Sequence, residues 1–341
     1  MKQPGKSGFA CALFLMFFGG ATLSAPAADG TMAWPALTSQ TRPWTYWWWM
    51  GSAVDKTNLT RELQRYHDAG LGGVHIIPIY GAKGWESNYI SYLGPEWMEM
   101  LGYTVSEAQR LGLGVDMTTG TGWCFGGPDV SDGDANASVV VKTYDLGVSE
   151  RLEEKFNRES IQALVAFWPD GKSIDLTDSI TTNGEMFFSP PGNWIGTETS
   201  VPPKICRVYA ISQKPSGQKV KRAAPGGEGW MLNPLYPPAM SNYLRRFTDA
   251  FVNYDGPKPR AMYQDSYEYK SDWSPDFFAQ FEKRRGYKLQ AELPALFGTN
   301  RDAHAARVKS DYRETISDIM TEESEPLWVA WSHERGFITR Y

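Results

Sequence analysis

The tetrapeptide Asp265-Ser266-Tyr267-Glu268 holds the side chains best suited to chemistry in this sequence. It follows the short apolar run Ala261-Met262-Tyr263. A carboxyl just past the C-terminal end of a strand stands where a parallel α/β barrel presents its catalytic groups. Among Tyr267, Tyr263 and Trp273, the Glu268 carboxyl is expected to be partly desolvated. Desolvation raises a carboxyl pKa and keeps the proton on near neutrality, as a general acid requires. Cleavage of a glycosidic bond uses such an acid to protonate the leaving oxygen. Taken alone, the tetrapeptide reads equally as an ordinary βα loop with a surface Glu. Asp265 could orient a sugar hydroxyl, tune Glu268 or cap a turn.

Other groups could serve the same chemistry. Trp47, Trp48 and Trp49 are consecutive, so in a strand they alternate faces. One or two could floor a sugar site while the others pack outward, or all could be core. His75 lies in an apolar run and reads as a core residue. Asp116 could reach a site at the barrel mouth or bond neighbouring backbone. Thr119 to Gly127 is rich in glycine but matches neither a Walker A nor a G-x-G-x-x-G pattern. Its glycines let the backbone turn tightly or approach a ligand. Asp129-Val130-Ser131-Asp132-Gly133-Asp134 resembles part of a Ca²⁺ loop, without the closing bidentate Glu. It reads otherwise as a solvated loop. No H-E-x-x-H, C-x-x-C or G-x-S-x-G motif occurs.

The elements that must position these groups follow a repeating order. Trp44 to Met50 reads as a buried aromatic strand. Leu59, Leu63 and Tyr66 have helical spacing behind the candidate N-caps Asp55 and Asn58, and Gly70 stops that helix. Gly73 to Tyr80 is a second strand, about Glu96 to Leu111 a second helix, and Gly114 to Thr118 a third strand. These strands are apolar throughout, as strands buried on both faces are. The loops after them carry Trp, Gly and polar residues, including Trp123. That asymmetry fits a barrel or an open α/β sheet with its site at the C-terminal ends of the strands. Residues 138–222 change to short alternating runs with an Asp170-Gly171 hairpin signal, and read as an inserted β-rich module. The α/β pattern resumes with a helix over Pro237 to Phe251, the run before Asp265, helices at about Pro275–Arg285 and 305–335, and the start of one more strand at the end.

Composition narrows the class. The chain has 341 residues, a formal net charge of −5, 14 Trp, 17 Tyr, 16 Phe and only 3 Cys. Mild acidity excludes a generic nucleic-acid binder, which carries a basic stripe. Three Cys cannot make a disulfide scaffold. Flat aromatic faces are what sugar-binding clefts use for stacking. Lys2 and Lys6, the apolar run Phe9 to Phe18 and Ala25-Pro26-Ala27 form a secretory signal pattern, with cleavage expected near Ala27. The expected location is therefore secreted or periplasmic, with no membrane span after signal removal. Cys124 and Cys206 would remain and could pair in an oxidising compartment.

Together the motifs resemble the family 106 glycoside hydrolases, the α-L-rhamnosidases. The resemblance runs through Arg42-Pro43-Trp44, Trp47-Trp48-Trp49-Met50-Gly51 and Ala53-Val54-Asp55. It continues in Ala69-Gly70-Leu71-Gly72-Gly73-Val74, Asp116-Met117-Thr118-Thr119-Gly120-Thr121-Gly122-Trp123 and Pro225-Gly226-Gly227-Glu228-Gly229. It ends with Asp265-Ser266-Tyr267-Glu268, Trp273-Ser274-Pro275 and Arg285-Gly286-Tyr287. It covers roughly residues 40–341 and implies a (β/α)₈ TIM-type barrel, inverting hydrolysis of terminal α-L-rhamnosides and dependence on Ca²⁺. Glu268 matches the Glu on the fourth barrel strand, an expected general acid. Trp47, Trp48, Trp49, Asp116, Trp123, Asp265 and Tyr267 form the expected sugar-contacting set. The expected organisation is signal peptide 1–27, first βα units 28–137, inserted module 138–222 and barrel continuation 223–341. Only four to five βα units are counted, so the chain reads as a fragment whose general base lies beyond Tyr341. Two other classes stay open: another barrel glycosidase or lyase, and a non-catalytic secreted carbohydrate-binding protein.

Overall fold

The computed structural model describes Trp34, residues 36–147, 149–190, 205–264 and 266–341. The expected signal peptide and Asp265 lie outside the described residues. Leu37–Tyr341 forms one structural unit.

Strand β1 (Trp44–Met50) is followed by helix α1 (Lys56–Asp68), β2 (Gly73–Ile79), α2 (Pro95–Arg110) and β3 (Gly114–Thr118). Asp55 caps α1 by accepting the Asn58 N–H at 2.9 Å, and Leu59 and Leu63 turn its apolar stripe to the core. Pro95 opens α2, where its missing N–H costs nothing. Every residue of β2 is buried, as expected of an inner strand covered on both faces. After an insertion, α3 (Pro237–Val252) leads to β4 (Ala261–Tyr263). The helices α4 (Phe277–Arg285), α5 (Leu293–Phe297), α6 (Ala303–Ile319) and α7 (Glu325–Glu334) then lead to β5 (Ile338–Arg340).

These five strands form one sheet in the order β1-β2-β3-β4-β5, every pair parallel. The repeating units read from the sequence are present, with helix ends within about two residues. The helical segment expected over about 305–335 is present as α6 and α7, continuous through a π-helical turn at Met320–Ser324. That turn admits extra residues at the point where the helix passes from one core to another.

The alternation along β1 sorts its aromatics. Trp49 is fully buried beside Trp97 of α2, and half-buried Trp47 packs on Tyr66 of α1. Tyr46, Trp48 and Met50 lie on the opposite face and are exposed. The helix-side core joins Trp49, Leu59, Leu63, Ile76, Trp97, Leu101, Met117 and Phe247.

Between β3 and α3, antiparallel strands Ala137–Leu146, Cys206–Pro215, Ile161–Phe167 and Ser173–Asp175 form a second sheet in that order. The Asp170-Gly171 turn closes its hairpin, with Gly171 at φ +86°. One face of this sheet, through Val165, Tyr209 and Ile211, packs on Phe277, Phe281 and Leu293 of the helices after β4. The other face, through Leu164 and Val208, shares a core with Met186. The inserted strands and the helices after β4 therefore share a core.

Candidate functional site

The C-terminal ends of the parallel strands converge on one group of loops, and Glu268 stands in the loop after β4. The inserted module fixes that loop. Gln218 donates to the Glu268 carbonyl at 3.1 Å, and its side-chain oxygen accepts the Lys270 N–H at 2.6 Å. Ala137 N–H donates to Ser271 Oγ at 3.1 Å and Val139 N–H to the Asp272 carboxylate at 2.8 Å. Phe125 N–H donates to Tyr269 Oη at 2.8 Å, tying in the loop after β3.

The environment of Glu268 differs from the expectation. Its side chain is 57% exposed and forms an ion pair with Lys221, which is 44% exposed. Trp273 does not shelter it. That ring is fully buried, stacked on Phe277 at 4.5 Å between centroids, with its indole N–H bonded to Gln162. Tyr263 turns into the sheet face, where its hydroxyl meets that of Tyr46 at 2.7 Å. Tyr267 points away from Glu268 to pack on Phe125 and stack with Tyr341 at 5.1 Å. Strand and loop alternation sends these aromatics to other faces, a direction that sequence proximity does not fix.

Lys221 arrives from the returning end of the module. Its carbonyl accepts the Trp123 N–H at 3.2 Å, and the next carbonyl, of Arg222, accepts the Tyr80 N–H at 3.1 Å. Residues 221–222 thereby bridge the loops after β2 and β3. Gly122 makes this approach possible, because a Cβ there would lie 1.9 Å from the Lys221 carbonyl oxygen. Its φ of +55° also favours glycine. Arg222 lies over Tyr80 and Trp123, with guanidinium-to-ring-centre distances of 5.3 and 5.6 Å. Buried Cys124 sits 3.7 Å from the Ser266 hydroxyl, and burial pushes its thiol pKa up. Cys206 is also buried and free, so the two do not pair.

Asp116 lies deeper, in the middle of β3, and is fully buried. Its carboxylate accepts two bonds from Arg260, at 2.9 and 2.7 Å, and one from Arg340 at 2.8 Å. His75 stands 3.8 Å away, touches Arg340 and is ringed by Trp44, Tyr46 and Tyr263. Burial, together with the two guanidinium groups, pulls the His75 pKa down to about 4. These contacts make Asp116 the anionic centre of a buried cluster, below the strand ends that carry Glu268.

Of the expected sugar-contacting residues, the structure brings Trp123 near Lys221 and Arg222, and places Trp48 on the exposed sheet face. Trp47 and Trp49 face the helices. The sequence reading missed Lys221, Arg222, Gln218 and Tyr80, which meet Glu268 or Trp123 only through long-range pairing. It also missed Glu325 at the start of α7. That carboxyl borders a cavity of about 370 Å³ with Trp328, Thr339 and Tyr341, and burial raises its pKa.

The described residues do not fit a calcium cage. No group of three or more His, Cys, Asp or Glu converges among them. In the acidic loop, Asp134 accepts bonds from Asn242 and Ser131, and Asp129 faces Arg246 at 3.5 Å. The loop docks α3 instead. Among the described residues, no helix is long and apolar enough to cross a membrane.

Comparison with known proteins adds three findings. A model of glycoside hydrolase family 106, described as alpha-L-rhamnosidase, matches residues 36–163 and 152–341. A protein of Formosa agariphila named "Putative beta-glucuronidase" is 23% identical over 351 residues, covering 87% of this chain and 29% of its own length. The solved structure of a rhamnosidase from Novosphingobium sp. PP1Y superposes with a TM-score of 0.71 at 16% identity, over 88% of this chain and 46% of that one. The chain thus spans less than half the length of either relative.

Proposed function

Because the chain belongs to glycoside hydrolase family 106, we propose that it supplies part of the catalytic region of a secreted or periplasmic enzyme that removes terminal α-L-rhamnose from glycans. The observation that carries this reading is the position of Glu268 at the C-terminal end of the fourth of five parallel strands, in a loop clamped by the inserted module. The strand order runs without reversal. A doubly wound sheet changes direction at its switch point, whereas a barrel does not. The unreversed order supports reading the five strands as part of a (β/α)₈ barrel.

In the proposed reaction Glu268 protonates the leaving glycosidic oxygen. A second carboxyl, on a strand outside this chain, activates water on the opposite face of the sugar. Inversion needs about 6.5–9.5 Å between the two carboxyls, room for that water. Trp48 and Trp123 offer aromatic faces for the sugar rings.

The Glu268–Lys221 pair also favours a second reading. A carboxylate already matched with an ammonium group can accept hydrogen bonds from sugar hydroxyls without donating a proton. In that case the site binds glycans and does not cleave them.

The test is hydrolysis by the natural-length protein, followed by NMR. Rapid cleavage of an aryl α-L-rhamnoside with β-L-rhamnose as the first-formed sugar is expected. Cleavage of an aryl β-glucuronide instead, or binding with no cleavage of any glycoside, would overturn the rhamnosidase assignment.

A further inference from the structure

Arg222 is the feature of the site that the acid–base chemistry does not use. It is exposed, and it holds a left-handed backbone angle, φ +56°, that a non-glycine residue adopts at a cost. Strain of this kind persists only where the surroundings enforce it. Here the enforcing contacts are the Tyr80 N–H on the Arg222 carbonyl and the Trp123 N–H on the preceding one. The side chain is held as firmly. Tyr80 and Trp123 both lie under the guanidinium, and Nη1 donates to Tyr80 Oη at 2.9 Å.

That hydrogen bond uses one of the five N–H donors of the guanidinium. No carboxylate of the described residues lies within ion-pairing distance of Arg222, although several exposed arginines elsewhere are paired, such as Arg110 with Glu107 and Arg207 with Asp145. Its sequence neighbour Lys221 reaches Glu268 itself. A preoriented, uncompensated guanidinium fork therefore stands one residue from the partner of the proposed acid.

We infer that Arg222 binds the carboxylate of a uronic acid residue next to the scissile bond, so that the preferred substrate is a rhamnosyl uronate and not a neutral rhamnoside. A planar guanidinium presents two parallel N–H groups that match a planar carboxylate. The aromatic rings hold the fork in place before substrate arrives, so little rotamer freedom is lost on binding. Tyr80, itself exposed, offers an apolar face beside the fork. The inference rests on the reading of this site as a glycan-cleaving cleft.

The experiment compares three substrates with the natural-length enzyme: a rhamnosyl glucuronate disaccharide, its methyl ester, and a rhamnosyl glucose carrying a 6-sulfate. The ester keeps the shape and removes the charge, and the sulfate keeps a charge with tetrahedral geometry. A charge-assisted contact should raise kcat/KM for the acid by about tenfold or more over the ester. In Arg222→Gln that ratio should fall to about two or below, through KM, and Arg222→Lys should retain part of it. A ratio near one in the wild type overturns the inference without reference to any variant. So does an unchanged ratio in Arg222→Gln, or a preference for the sulfate over the carboxylate. Calorimetric binding of the same compounds separates the two claims. If nothing is cleaved but the acid still binds more tightly than the ester, with that difference lost in Arg222→Gln, the hydrolase reading fails and the uronate site stands. Equal binding of acid and ester sinks the uronate site alone.

Discussion

Residues of the same type serve different ends here, and their surroundings decide which. Asp116 lies within β3, whereas Glu268 follows β4 in its loop. Asp116 is sealed in the sheet between Arg260 and Arg340, and Glu268 is exposed beside Lys221. Buried His75 completes the lower cluster, and its titration makes a prediction at this scale. Its pKa falls from the ordinary 6.5 to about 4 in the folded state. Between those values the unfolded chain binds a proton that the native protein does not, so stability falls as the pH drops through that window. The stabilisation is fully present above about pH 6.5, and the loss by pH 4 amounts to at most about 3 kcal/mol. Urea midpoints measured from pH 7 to pH 4 should fall, and His75→Gln should flatten that part of the curve. An equally steep curve in the variant would assign the effect to other groups.

At the level of elements, close backbone approach builds the site. Gly122 and Gly171 both hold positive φ, yet an added methyl meets different surroundings. At Gly122 it would collide with the Lys221 carbonyl, whereas at Gly171 nothing lies within 4 Å. Gly171→Ala should cost about 1 kcal/mol, from backbone strain alone. Gly122→Ala should cost more in thermal stability and also raise KM several-fold, because residues 221–222 must shift. Equal effects of the two substitutions on KM would show that the approach of 221–222 does not position the site. The same contrast explains what could be read from sequence. The βα units were legible because Leu59 and Leu63 repeat at helical spacing, Asp55 caps their helix, and β2 is apolar throughout. Asp170-Gly171 announced its hairpin by turn chemistry. The pairing of Lys221 with Glu268 had no such signal, because it joins the end of the inserted module to the loop after β4. The direction of Trp273 was hidden for the same reason: its partners Phe277 and Gln162 come from a helix and from the inserted sheet.

Across the whole molecule, one continuous parallel sheet and one inserted module divide the work. The sheet carries the buried cluster below and the loops above, and the module pins the loop that bears Glu268. The long helix with its π-turn connects the two cores, with Ile319 in one and Trp328 in the other. The exposed face of β1, with Tyr46, Trp48 and Met50, is the face that a closed barrel would turn inward. The central claim is that Glu268 donates the proton within that assembly. It is tested most directly by Glu268→Gln in the natural-length enzyme, with rhamnosides whose leaving groups differ in acidity. An alkyl rhamnoside needs the proton, whereas a 2,4-dinitrophenyl rhamnoside leaves without it. Loss of a general acid should lower kcat about a thousandfold on the alkyl substrate and far less on the dinitrophenyl one. Equal losses on both substrates, or turnover unchanged on the alkyl rhamnoside, would contradict that role.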